Sequence, residues 1–188
     1  MSVEGNIEKL FERVLEENIS DESRERVKEL SENLRSATIP RELEEEVENV
    51  DEASNENLYQ KIMGLEIPEK IKLALKGNQT ARAILIRDSN KQVPLFVLEN
   101  PRITDHEVQE FSKSRDVSDL VLRAISQNGN WTKSYQLKFS LVSNPKTPID
   151  VSLKWLKFIQ KKDLRNLARS KNVPQVIANQ ARKLMGRT

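Results

Sequence analysis

The sequence predicts an all-α protein, a solenoid of short helices preceded by an N-terminal helical hairpin. Apolar residues near the N-terminus recur at helical spacing. From Leu58 onward, apolar runs of roughly 8–13 residues alternate with Asn, Gly, Asp or Pro, and this punctuation repeats itself. Helix starts come every 12–16 residues, so a helix pair takes roughly 24–30, near the short end of helical repeats.

Ile7, Leu10, Phe11, Val14 and Leu15 fall on one stripe of a helix. Ser20 suits the N-cap of the next helix, which carries Val27, Leu30 and Leu34 on one side. Residues 1–35 therefore read as an acidic hairpin whose stripes must be covered by each other and by the rest of the chain or a second copy. Residues 36–57 read as an acidic linker. Ile39-Pro40 interrupts any helix, and Leu43, Val47 and Val50 are too sparse to anchor one, so this stretch is expected to be mobile.

Residues 58–188 form the expected repeat domain. Pro68 suits a first helical turn, Gly77 the residue just past a helix end, and Asn78 the cap of the following run. The runs 81–86 and 92–97 have the length of buried strands, but Pro94 and the surrounding caps favour helices. Further runs cover 105–113, 117–127, 132–143, 148–160, 163–170 and 174–185. Asn100-Pro101 and Asn144-Pro145 each follow a helix, with Asn expected in the left-handed conformation that ends it. Thr104 and Glu107 have capping-box spacing, and Thr147 precedes Pro148 as a second threonine cap. A second echo pairs residues 114–118 with 170–174.

Three blocks carry a resemblance. They are Glu69-Lys70-Ile71-Lys72-Leu73-Ala74-Leu75-Lys76-Gly77-Asn78, Leu141-Val142-Ser143-Asn144-Pro145-Lys146-Thr147-Pro148, and Asp163-Leu164-Arg165-Asn166-Leu167-Ala168-Arg169-Ser170-Lys171-Asn172-Val173-Pro174. Through them residues 58–184 resemble an uncharacterised family of bacterial α-helical repeat proteins, similar to leucine-rich repeat variant and HEAT-like solenoids. The resemblance implies a fold and a repeat-type interaction surface, not an activity.

Charge is divided unevenly. Residues 1–72 carry −10, residues 73–150 carry +3 and residues 151–188 carry +9, giving the net +2. No apolar run approaches the roughly 20 residues that span a bilayer, and the first ten residues are acidic rather than a secretory leader. With no cysteine there are no disulfides and no thiolate zinc site, which fits the cytoplasm.

Catalysis, cofactors and metals find no support. His106, the single histidine, sits in a polar first turn without an evident partner nucleophile or ligand set. Lys76-Gly77-Asn78 lacks the remainder of a phosphate-binding loop and reads as a helix end followed by a cap. The basic C-terminal end carries the functional weight. Lys154, Lys157 and Lys161 are expected on one helix face, with Arg165 and Arg169 on the next helix and Lys171, Arg182, Lys183 and Arg187 nearby. Trp131, Tyr135 and Phe139 are expected along one helix face, with Trp155 and Phe158 on the next long helix. These aromatics read mainly as core, with Trp131 an interface anchor.

The chain is therefore expected to be a non-enzymatic protein–protein interaction or scaffold module. Its candidate contact residues are Lys154, Lys157, Lys161, Arg165, Arg169 and Trp131. The expected partner is an acidic protein surface or the chain's own acidic N-terminus. The alternatives are nucleic-acid binding through the basic helices and a structural protein that dimerises through residues 7–34.

Overall fold

Every turn of chain that can be followed is helical or a short connection. A computed structural model describes residues 21–40, 43–45 and 52–186, and among them there are eleven α-helices and no strand. The chain divides into two compact units, Met1–Ile103 and Thr104–Thr188. Composition marks its change at Leu58, whereas packing marks its division after Ile103. The first reports polarity and the second reports which apolar faces meet.

The first unit holds α1 (Asp21–Ser36), α2 (Glu52–Met63), α3 (Ile67–Lys76), α4 (Gln79–Leu85) and α5 (Val93–Leu98). Helix α3 organises it, packing against α1, α4 and α5, while α2 packs on α4. Its start follows from sequence. Glu66 and Glu69 form a reciprocal capping box and Pro68 lies in the first turn, where its missing N–H has no partner to lose. Ile71, Leu73, Ala74 and Leu75 are then buried, and Leu34, Ile62 and Leu85 join them in the core. Helices α4 and α5 occupy the two runs of strand length, with Pro94 at the start of α5. The apolar stripe expected between Ile7 and Leu15, and the Ser20 cap, lie outside the described residues.

The ends of α1 and α3 show how the first unit closes. A helix terminates with carbonyls that have no intrahelical donor. Lys72 supplies one for α1, its Nζ donating to the Ala37 carbonyl at 2.6 Å and the Arg35 carbonyl at 3.3 Å. At the end of α3, Asn100 Nδ2 donates to the Ala74 carbonyl at 2.8 Å and to the Gly77 carbonyl at 3.3 Å. Arg82 donates to the Gly77 carbonyl at 3.0 Å, and Arg102 donates to the Lys76 carbonyl.

The same device anchors residues 36–40 and 43–45, part of the 36–57 stretch that was expected to be mobile. Ile39 and Leu43 are buried, Leu43 to 1% exposure. Asn78 receives the segment twice, its N–H donating to the Leu43 carbonyl and its side chain to the Glu45 carbonyl, both at 2.8 Å. Arg102 donates to the Glu44 carbonyl at 2.8 Å. The segment has few apolar residues, as read, but polar side chains from far along the chain hold its backbone. Val47 and Val50 lie outside the described residues. Replacing Lys72 by Met is expected to lower stability by about 1–2 kcal/mol, because it leaves two carbonyls without a charged donor. Urea denaturation measures this, and an unchanged midpoint would mean that Lys72 does not close α1.

The second unit holds α6 (Asp105–Lys113), α7 (Asp119–Gln127), α8 (Tyr135–Ser143), α9 (Ile149–Leu156), α10 (Lys161–Arg169) and α11 (Gln175–Met185). Helix α6 packs on α7 and α8, α8 on α9, α9 on α11, and α10 on α11. Thr104 and Glu107 form the expected capping box, and Ser118 and Ser134 cap α7 and α8. Leu122, Ile125, Leu141, Leu156 and Ile177 are fully buried.

Two details of this unit differ from the sequence reading. Thr147 does not cap α9; Pro148 occupies the N-cap itself at φ −52° and ψ 140°, and Pro174 does the same for α11. The proline ring fixes the φ that an extended cap residue needs, and no side-chain cap hydrogen bond is made at either start. Asn144 is not left-handed either, having φ −81° and ψ 121°. It is present for its side chain. Its Nδ2 donates to the Ser112 carbonyl at 2.9 Å and the Ser114 carbonyl at 2.8 Å, while its Oδ1 accepts from the Lys146 N–H at 3.0 Å. Asn100 does the same work in the first unit, closing the end of α3 and accepting from the Arg102 N–H at 2.9 Å. The Asn-Pro echo in the sequence is therefore one clamp used twice.

Candidate interaction surface

Helix α10 sorts its side chains sharply. Leu164, Leu167 and Ala168 face the core. Lys161, Arg165 and Arg169, four residues apart, form an exposed row with no ion pair among the described residues. Lys161 belongs to this row and not with Lys154 and Lys157, as its spacing from them suggested. Helix α9 stops at Leu156, and turn hydrogen bonds from the Phe158 and Ile159 N–H groups to the Trp155 and Leu156 carbonyls carry the chain round. Lys154 and Lys157 are exposed at the end of α9, where cations also complement the helix dipole.

Two neighbours adjust the charge of this region. Asp163 is the one acid among residues 151–188. The Tyr135 hydroxyl donates to it, and the Gln160 N–H donates to that hydroxyl at 3.2 Å. Burial, and then the bond to Asp163, push the Tyr135 hydroxyl above its ordinary pKa. Arg182 is not simply added charge, because it donates to the Ala168 carbonyl at 2.9 Å and closes α10. Arg123 and Asp150 pair across α7 and α9 at 2.7 Å on the surface. The guanidinium bond holds the Asp150 carboxyl below the usual carboxylate range.

The aromatic residues are arranged differently from the sequence expectation. Trp131 does not share a helix with Tyr135 and Phe139. It lies half-buried in a 3-10 turn before Ser134, whose cap starts α8. Trp155 is buried, but Phe158 is 58% exposed. Its ring meets Trp155 with centroids 5.8 Å apart. Lys138 Nζ lies 5.5 Å from the Phe158 ring and 5.6 Å from Trp155, and Lys154 Nζ lies 4.7 Å from Trp155. Phe158 was missed as an exposed residue because its spacing from Trp155 reads as one more turn of helix. The early stop of α9 turns it outward.

A groove of about 510 Å³ crosses α6, α8 and α10, away from the basic row. Phe139 and Leu167 supply apolar walls, and Gln109, Gln136, Asn166 and Asn172 supply carboxamides. None of these four side chains has a hydrogen bond to another described residue, in contrast to Asn78, Asn100 and Asn144. Gln109, Gln136 and Asn166 are 27 and 30 residues apart, about one helix pair. Lys113 and Arg115 line one end, and no carboxylate lines the groove. The Ser143 hydroxyl is buried in its wall without a hydrogen-bond partner.

No family model, curated protein or solved structure matches this chain. No helix among the described residues is long and apolar enough to cross a membrane. His106 is exposed in the first turn of α6. Among the described residues no three of His, Cys, Asp and Glu cluster to hold a metal.

Proposed function

We propose that the chain is a non-enzymatic interaction module of HEAT-like or leucine-rich-repeat-variant type, whose helices stack as a solenoid and whose basic C-terminal surface receives an acidic protein surface. The observation carrying this reading is the exposed row Lys161–Arg165–Arg169, whose one local acid, Asp163, accepts a hydrogen bond from Tyr135. The stacking reading is supported by alternate helices that pack together, α6 on α8 and α9 on α11, and by the Asn100 and Asn144 clamps. Exposed cations of this kind raise association rate and select partners more than they add affinity. Lys154, Lys157 and Phe158 extend the surface, with Phe158 as an apolar anchor.

The test uses the full chain and polyglutamate as the acidic probe. Substituting Lys161→Glu, Arg165→Glu and Arg169→Glu together is expected to weaken binding about tenfold or more at low salt. That corresponds to three exposed pairs lost at about 0.2–1 kcal/mol each, with repulsion added. Binding that ignores the triple reversal would sink the proposal.

Phe158 favours a second reading, in which a single-stranded nucleic acid stacks a base on the exposed ring while Lys138, Lys154 and the α10 row meet phosphates. This reading expects an oligonucleotide to bind with steep salt dependence and Phe158→Ala to weaken it several-fold. It also expects Phe158→Ala to leave the salt slope in place.

A further inference from the structure

We propose that the groove across α6, α8 and α10 binds an extended peptide bearing a carboxylate at its α6 end. The ligand class follows from what lines the groove. A carboxamide offers two donors and an acceptor, which matches the N–H and C=O groups of an extended main chain. Such a chain carries these groups unpaired along both edges. Gln109 on α6, Gln136 on α8 and Asn166 on α10 present one carboxamide per helix, and Asn172 adds a fourth just beyond. All four side chains lack hydrogen-bonding partners among the described residues. Neighbouring helices lie about 9 Å apart, and an extended chain advances about 3.3 Å per residue. Crossing from α6 over α8 to α10, which packs less closely on α8 than α6 does, therefore takes at least about five or six residues. Alternate side chains would rest on Phe139 and Leu167 or point to solvent.

Charge complementarity fixes the direction. Arg115 lines the α6 end and has no ion pair among the described residues. Lys113 beside it pairs with Glu110 at 2.8 Å, but both side chains are about half exposed, so that bond is readily exchanged. An arginine receives a carboxylate through two parallel hydrogen bonds. With no acid in the lining, an acidic ligand meets no like charge there. The site is distinct from the basic row. None of Lys161, Arg165 and Arg169 lines the groove, and on α10 Asn166 lies about 140°, 100° and 60° around the helix axis from them in turn, by the 3.6-residue turn.

The experiment pans a phage-displayed random hexapeptide library over the full-length protein, then measures enriched peptides by fluorescence anisotropy. Enrichment of Asp or Glu over Lys and Arg is expected. For the tightest peptide, Lys113→Glu with Arg115→Glu is expected to cost tenfold or more, and Gln136→Ala with Asn166→Ala about fivefold. N-methylating alternate peptide bonds of the peptide is expected to cost tenfold or more, a readout that leaves the protein untouched. The Lys161→Glu, Arg165→Glu, Arg169→Glu variant is expected to stay within threefold at moderate salt. Its failure to bind polyglutamate can thus be told from failure of the groove. No enrichment over a blank surface, indifference to Arg115→Glu, tolerance of N-methylation, or loss only with the α10 triple variant would overturn the proposal. Displacement of the peptide by an oligonucleotide in preference to acidic peptides would do the same.

Discussion

Asn144→Asp is expected to destabilise the protein by about 3–5 kcal/mol at neutral pH. The substitution changes almost no volume, so its effect isolates chemistry. Asn144 is buried, and its Nδ2 donates to the carbonyls of Ser112 and Ser114 at 2.9 and 2.8 Å. A carboxylate has no donor to offer, and the substitution turns its oxygen toward two carbonyl oxygens. Each buried acceptor left unsatisfied costs about 1–3 kcal/mol, and the buried charge costs more until it takes up a proton. Against total stabilities of about 5–15 kcal/mol, such a loss is large. The pH dependence has a definite sign. Burial raises the folded-state pKa of the introduced carboxyl above its unfolded value, so the deficit is largest at neutral pH. It shrinks as pH falls towards about 4, where the unfolded carboxyl is also protonated. Asn166→Asp is the control, since Asn166 is exposed and has no side-chain hydrogen bond among the described residues. It should shift stability by no more than about 0.5 kcal/mol. Urea denaturation of both variants decides the matter, and equal small losses would refute the clamp.

The same residue shows what the sequence could and could not disclose. The Asn-Pro echo located both clamps, because punctuation after an apolar run is a local pattern. The purpose of the asparagine was not local. Its amide reaches carbonyls 30 and 32 residues back, and no periodicity records such a bond. The cap at Thr104 was legible because donor and acceptor lie three residues apart. The anchoring of residues 36–40 and 43–45 was not, since Lys72, Asn78 and Arg102 hold that backbone from 33 to 58 positions away. Charge was countable in advance, so Arg165 and Arg169 could be named. Where α9 would stop could not be read, so Lys161 was placed on the wrong helix face and Phe158 in the core. The groove carboxamides are individually unremarkable polar residues. Only the fold brings Gln109, Gln136 and Asn166 from three separate helices to one groove.

Gly77→Ala is expected to cost about 3 kcal/mol or more, although the position is not one where glycine is needed for its backbone angles. Its φ is −61° and its ψ 157°, a conformation open to any residue. The obstacle is space. A Cβ there would lie 2.5 Å from the Leu73 carbonyl oxygen and 2.9 Å from the Ala81 Cβ. Neither neighbour is the far end of a flexible side chain. The Leu73 oxygen already accepts the Gly77 N–H at 2.6 Å, and Ala81 sits in the first turn of α4. Relief therefore requires the end of α3 to move away from the start of α4. That motion strains the bonds that Arg82 and Asn100 make to the Gly77 carbonyl, and with them the Asn78 clip on residues 43–45. Overpacking alone costs about 1–3 kcal/mol, and each buried bond lost adds to it. Gly129→Ala is the comparison, because nothing lies within 4 Å of its added Cβ. There the smaller entropy of the unfolded chain should leave stability unchanged or raised by up to about 1 kcal/mol. Thermal melts of the two variants should diverge by several degrees. If they coincide, α3 and α4 are not joined as tightly as these distances require, and the clamps gathered at that junction lose their physical basis.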